Sequence, residues 1–429
     1  MSAAAEVRSR ADVPDLAAAE TYASGVPHAA FAWLREHDPV SWHDDPSGRR
    51  GFWLLARYDD VVAASRDPAT FSSRAGVTNL DDLDDEQLDA RRTMLEEDPP
   101  RHGALRSLVR DCFTPRAVRA YESFVALLAR AKLQEALACS EREGWVDAVA
   151  AIAEPVPIRV LARMLGVADT RTAELLDWGN RLIAGEPTPG GGRLRLVPFG
   201  SPVSLEAFVL ADEMKRARAG GEPDDVTTRL AYGLVDGAPL SDAEYRAMWL
   251  LLVIAGNETT RHAISSGVEA LATHPSELAR LQAEPSLVDV ATEEVLRWST
   301  PINWHRRTAS RDVDIGGRKI RAGDKVLLSF TSANRDPARF ARPFHFDVER
   351  RPNDHVTFGR GGPHFCLGAH LARLEVRAVM GEVVAQVSSA QLAGEPQRLR
   401  SNHFNGFVRL PVALGGRAAS PSRRGSLGG

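Results

Sequence analysis

Two short runs of residues could carry chemistry. The first is Phe358-Gly359-Arg360-Gly361-Gly362-Pro363-His364-Phe365-Cys366-Leu367-Gly368, where a glycine-rich stretch leads to one cysteine. Glycine permits tight turns and close approach of backbone to a ligand. Helical periodicity resumes at once and predicts a helix over 367–384, so Cys366 sits at a helix N-terminus. There the unpaired backbone N–H groups and the helix dipole favour a thiolate, the reactive and metal-binding form of the side chain. A lone cysteine is more often a small buried hydrophobe, so Cys366 by itself decides nothing. The second run, Ala255-Gly256-Asn257-Glu258-Thr259-Thr260, interrupts an apolar stretch. Thr259 can bond back to the carbonyl of Ala255 and slightly open the helix. Glu258 is an acid in apolar surroundings, costly unless it is used. Gly256 leaves room for a flat group or a small molecule. A polar patch on a purely structural helix is the competing reading of the same residues.

Other charged residues gain meaning only from their order. Glu-x-x-Arg occurs at Glu213/Arg216, Glu258/Arg261, Glu277/Arg280, Glu294/Arg297 and Glu395/Arg398. Residues three apart face each other on any helix, and most such pairs are solvated. His102 and Arg106, four apart, share one helix face. Along the chain come His102-x-x-x-Arg106, Gly256-x-Glu258-Thr259, Glu294-x-x-Arg297, Asn334-Arg335-Asp336-Pro337 and the Cys366 loop. In this order they resemble the cytochrome P450 family, over residues 31–414.

The resemblance implies a mainly α P450 fold: a helical domain with a long central helix and small β-sheets around a buried haem b. It implies Cys366 as the axial thiolate of the iron, pushing electron density towards O–O cleavage, with O2 as co-substrate. Glu258 and Thr259 match the acid–alcohol pair that delivers protons to the oxygen being activated, with Ala255 and Gly256 beside it. His102, Arg106, Arg307, His355 and His364 match positions that face the haem propionates, and Phe358 and Gly368 match haem contacts in the cysteine loop. Glu294, Arg297 and Arg350 match a structural triad behind the haem. Phe358 lies one residue further from Cys366 than in the usual bacterial pattern, as in a subset of actinobacterial P450s acting on sterols and branched lipids.

The elements that must position these residues are mostly helices. Ser241-Asp242-Ala243-Glu244 reads as a capping box, and the helical pattern then runs without proline to Thr273, stopping at His274-Pro275. At 1.5 Å per residue, about 30 residues span roughly 45 Å. Residues 248–255 are apolar on all sides, as in a buried helix. Helices are predicted over 101–112, 116–138, 151–165, 170–183 and 205–219, and strands over 51–55, 313–320, 325–330 and 407–414. The acidic segment 80–97 reads as a mobile loop, and 185–202, with many Gly and Pro, as a lid. No repeat or linker divides the chain, so 1–429 reads as one domain with flexible tails at 1–15 and 415–429.

Composition limits the function classes. A net charge of −4 on 429 residues, without a basic cluster, argues against a nucleic-acid partner. Cys112, Cys139 and Cys366 form no disulfide framework, which fits a reducing cytoplasm. The longest apolar stretch, 247–256, is about half of a membrane span, so no membrane anchor is expected. No Gly-x-Gly-x-x-Gly follows a strand. Electrons are therefore expected from a separate ferredoxin and ferredoxin reductase, fed by NAD(P)H, with Arg106, Arg110, Arg116, Arg373 and Arg377 as a docking face. Segments 72–95, 182–203, 250–255, 302–305 and 403–406 should line a largely apolar pocket. The expected substrate is a hydrophobic small molecule, either a sterol, terpenoid or lipid, or alternatively a polyketide or other antibiotic scaffold. A peroxide-driven P450 would normally replace the acid–alcohol pair. A haem-thiolate sensor would usually carry an output domain.

Overall fold

The long central helix runs from Asp242 to Thr273, 32 residues. Ser241 starts it as a true capping box: its hydroxyl accepts the Glu244 N–H at 3.3 Å, and the Glu244 carboxylate accepts the Ser241 N–H at 3.0 Å. Pro275 ends it, because the residue before a proline is pushed out of the helical region, and His274 has φ −124° and ψ 70°. Buried residues surround the axis from Tyr245 to Ala272, so this helix is the hub of the main hydrophobic core. The computed structural model describes residues 7–45, 50–184, 186–187, 194–195, 202–221 and 224–417.

A helix Pro155–Leu165 crosses the hub closely at Gly256, where a Cβ would come within 3.1 Å of the Leu161 side chain. The helices Arg101–Val109, Val288–Ser299 and Ala369–Gln386 complete the surroundings of the site. Several boundaries differ from the sequence expectation. The helix after Thr114 breaks into Pro115–Arg119 and Glu122–Glu143, and 80–97 holds a short helix, Asp85–Ala90, capped by Asp84. Apart from the two-residue strands Glu186–Pro187 and Leu194–Arg195, most of 185–202 lies outside the described residues.

A five-stranded sheet carries the other wall. Its order is Val40–His43, Phe52–Leu55, Lys325–Ser329, Trp304–Ala309 and Phe71–Ser72. Only the Phe52–Leu55 and Lys325–Ser329 pair is parallel. In Trp304–Ala309, His305 faces Leu328 and Arg307 faces Val326 across the ladder. Side chains alternate along a strand, so His305 and Arg307 share one face and Arg306 points the other way, to Asp82 at 2.8 Å. The predicted strand 313–320 is instead a hairpin, Val313–Ile315 with Arg318–Ile320, turning on Gly316 and Gly317 at positive φ.

Both predicted tails need correction. Residues 10–12 form a turn held by Asp12, whose carboxylate accepts the Ser9 N–H at 2.8 Å, and Leu16 is buried behind it. Gly415 and Gly416 belong to the strand Pro411–Gly416 and pair with Ser389 and Val387. Residues 1–6 and 418–429 lie outside the described residues.

Candidate active site

A cavity of about 280 Å³ lies between the central helix, the cysteine loop and the strand Trp304–Ala309. Cys366, Phe358, His364 and Gly368 line it from the loop, and Ala255, Gly256 and Thr259 from the helix. His102, Arg106 and Arg307 close its polar end. Glu258 and His355 do not line it. Ala255 keeps an exposed surface in the middle of the buried hub because the cavity is there.

The loop geometry explains its glycines. Gly359 and Gly361 have φ of +70° and +77°, a region open mainly to glycine, and a Cβ on Gly362 would overlap the Ser65 carbonyl oxygen. The Cys366 N–H donates to the Phe358 carbonyl at 2.8 Å. The extra residue is thus absorbed within a closed turn, and Phe358 stays in the cavity wall under the Arg373 guanidinium, 4.5 Å above its ring. The helix begins at Ala369, two residues later than expected, and Cys366 faces the cavity just before it. Burial pushes the Cys366 thiol up, against the Gly368 N–H and the charges of Arg106 and Arg373.

The polar end fits a dianionic ligand. Among the described residues neither Arg106 nor Arg307 has a carboxylate within ion-pair distance, and the one protein hydrogen bond of Arg307 goes to the Arg306 carbonyl at 2.8 Å. Burial lowers Arg307 to about 10 although Asp98 and Glu96 pull it up, and burial likewise lowers Arg106. A buried guanidinium without an anion is costly, so an acidic group from a ligand suits both. His102 Nδ1 and Nε2 stand 2.7 and 3.0 Å from the Met94 and Pro363 carbonyl oxygens, to which its ring N–H donates, and its ring lies 4.1 Å from that of His364. Burial, then Arg307, His102 and Arg106, holds His364 down to about 2, so it is neutral. These residues fit the two propionates of a haem, and Cys366 fits its iron.

The acid–alcohol pair is split between two environments. Thr259 Oγ1 donates to the Ala255 carbonyl at 3.1 Å inside the cavity. Glu258 points away from it into a largely buried cluster. His262 Nε2 stands 2.9 Å from Glu258 Oε1, and Arg261 bonds the same oxygen. Arg261 also reaches Glu154 at 2.9 Å and Asn180 at 2.6 Å. Glu258 Oε2 is buried without a partner. Burial pushes the Glu258 carboxyl up, but His262 and Arg261 more than offset this, and it sits below the usual range.

His355 is a correction. Its Nε2 turns to Glu293 at 3.1 Å, a carboxylate that also accepts two Arg373 hydrogen bonds at 2.7 and 2.9 Å. With that partner His355 stands behind Phe358, outside the cavity. Glu294 is where the order of motifs put it. Arg297 grips both its oxygens at 2.7 Å, Arg350 and Asn353 reach Oε2 at 3.0 and 3.2 Å, and the Asp347 N–H donates to Oε1 at 3.0 Å. Sequence reasoning missed Glu375, a buried acid on the helix after Cys366 that also lines the cavity with Oε2 unpartnered. Its only sequence signal is a carboxylate inside an apolar stripe between Leu374 and Val376.

The model of the family described as cytochrome P450 matches residues 224–413. The methyl-branched lipid omega-hydroxylase of Mycobacterium tuberculosis is 37% identical over 390 residues, covering 89% of this chain and 90% of that protein. A steroid C26-monooxygenase of Rhodococcus jostii is 34% identical over 404 residues, covering 92% and 83%. Among solved structures, a Mycobacterium marinum cytochrome P450 in complex with pseudoionone superposes with a TM-score of 0.82 at 34% identity, covering 96% of this chain and all of that one. The chain belongs to the cytochrome P450 family. It is an oxidoreductase, a haem-thiolate monooxygenase that uses O2. No helix among the described residues is long and apolar enough to cross a membrane.

Proposed function

We propose that Cys366 is the axial ligand of the haem and that the chain hydroxylates a hydrophobic small molecule of the sterol, terpenoid or branched-lipid class. The observation that carries this reading is one cavity lined by Cys366, by Thr259 and by two guanidinium groups without carboxylate partners. When bound, the haem supplies O2 activation and insertion of one oxygen atom into a C–H bond. Arg106, Arg307, His102 and His364 would hold its propionates, and Phe358 and Gly368 would pack against it. Thr259 presents a hydroxyl beside Ala255 and Gly256, where it can accept and pass a proton. Glu258 is a carboxylate at rest and takes a proton at Oε2, the oxygen left unpartnered. Turning about its side-chain torsions, it hands that proton towards Thr259. Leu251, Leu252, Ile302 and Phe404 exclude water from the substrate space.

Electrons come from a separate ferredoxin in the cytoplasm. Of the expected docking residues, Arg377 pairs with Glu122 at 2.8 Å and Arg373 with Glu293, and Arg106 lines the cavity. Arg110, beside Asp111 at 3.5 Å, and Arg116 are exposed towards a partner. The substrate class rests on likeness to the lipid and steroid hydroxylases and on the apolar lining. The test is spectroscopic: the reduced, carbon monoxide-bound protein should show the thiolate-haem band, and Cys366→Ser should abolish it. A panel of steroids, terpenes, branched lipids and polyketides, read by the low-to-high-spin shift, should respond to the first three. A response to polyketides alone would transfer the reading to antibiotic tailoring.

A further inference from the structure

His305 and His403 line the cavity from two different segments, the strand Trp304–Ala309 and the connection between the strands Gln397–Arg398 and Phe407–Arg409. Their rings lie 6.0 Å apart and nearly parallel, at 18°. His305 stands edge-on to Phe330 at 5.1 Å, and His403 edge-on to Trp304 and Phe404, both at 4.8 Å. Aromatic packing therefore fixes both ring planes and uses no ring nitrogen. Both ring nitrogens of His403 are buried without a hydrogen bond, and the His305 ring makes none among the described residues. Phenylalanine would pack as well, and an unpaired buried polar group costs folding free energy. Two other polar side chains of the cavity lining, Thr78 and Glu96, have partners within the protein. Thr78 accepts from Arg91 at 2.9 Å, and Glu96 accepts from Thr93 at 2.6 Å.

We propose that His305 and His403 form a polar subsite that binds an uncharged oxygen, a hydroxyl or a ketone, on an otherwise apolar substrate and so orients it. This rests on the reading of the cavity as the substrate site and narrows it, from an apolar molecule to an apolar skeleton bearing one neutral oxygen. Burial holds His403 down at about 3 and His305 well below its ordinary value, with Arg91, Arg307 and His364 as the ionisable groups nearby. Neutral imidazoles offer one donor and one acceptor each. They match a hydroxyl or carbonyl and supply no charge for a carboxylate.

The test compares cyclododecanol, cyclododecanone, cyclododecane and cyclododecanecarboxylate on the haem-loaded protein, by calorimetry and by the spin-state shift. The alcohol and ketone should bind about tenfold more tightly than the hydrocarbon. His305→Phe and His403→Phe should each erase most of that gap while the hydrocarbon still binds, and His305→Gln should restore part of it. Equal binding of all neutral probes, a gap that survives both variants, or tightest binding of the carboxylate would overturn the subsite. Hydrocarbon binding in the variants certifies their fold. A wild-type protein without the thiolate-haem band would instead overturn the proposed function, while the calorimetric comparison would still judge the subsite.

Discussion

Two glutamates sit three residues before an arginine on buried helices, and both are fully inaccessible: Glu294 with Arg297, and Glu258 with Arg261. Every acceptor position of Glu294 is used, by two guanidinium groups, an amide side chain and a backbone N–H. Arg297 spends its remaining donors on the Asn334 and Pro343 carbonyls, at 2.9 and 3.0 Å. Glu258 is held on one oxygen only, and its arginine is shared with Glu154 and Asn180. The saturated cluster can only hold structure together. The unsaturated one has capacity to take a proton, and it adjoins the hydroxyl that faces the cavity.

The comparison breaks most visibly at the saturated cluster. Arg297→Ala leaves a carboxylate buried beside cavities in its own network, and losing one partner of a buried pair costs about 3–5 kcal/mol. That is much of the stability of a typical domain, so the variant should fail to accumulate with haem, as read by absorbance and urea unfolding. Glu258→Gln should fold, because Arg261 keeps Glu154 and Asn180. Its turnover should drop by a general acid–base factor of about 10²–10⁴. Thr259→Ala should still bind substrate but divert reducing equivalents to peroxide, measured as product formed per NAD(P)H oxidised.

A smaller effect concerns pH. Arg261 and His262 hold Glu258 below its usual range. A depressed carboxyl gives stability that is present above the unfolded pKa and is lost as pH falls through the folded one. Arg261→Ala raises the folded pKa, so acid unfolding should begin at higher pH and the acid limb of the rate profile should move the same way. Glu293 is held at about 2 against burial by His355 and Arg373. Its stability contribution is lost between the usual carboxylate range and about pH 2, and Arg261→Ala leaves that contribution in place. The smallest effect is at the surface. Arg116→Glu should raise the apparent KM for the ferredoxin severalfold at low salt, and the difference should vanish at high salt.

Much of this was legible in the sequence because order carried it. Five Glu-x-x-Arg copies look alike, and only position between the Thr259 helix and the Cys366 loop picked out Glu294. The capping box and His274-Pro275 gave both ends of the central helix. What was not legible depends on contacts far apart in the chain. His355 needed Glu293 to turn it away. The register of Trp304–Ala309 is set by its ladder with Lys325–Ser329, and that ladder puts His305 beside Arg307 in the cavity. His305 and His403 are 98 positions apart, so no local pattern could join them.

The contrast between the two glutamates is tested most directly by the solvent deuterium isotope effect on turnover, measured with product yield per NAD(P)H in wild type and Glu258→Gln. The expected result is a larger isotope effect and a lower yield in the variant, with its haem spectrum and substrate affinity intact. Unchanged isotope effect and yield in Glu258→Gln would contradict a role for this carboxylate in proton delivery and leave it, like Glu294, a structural residue.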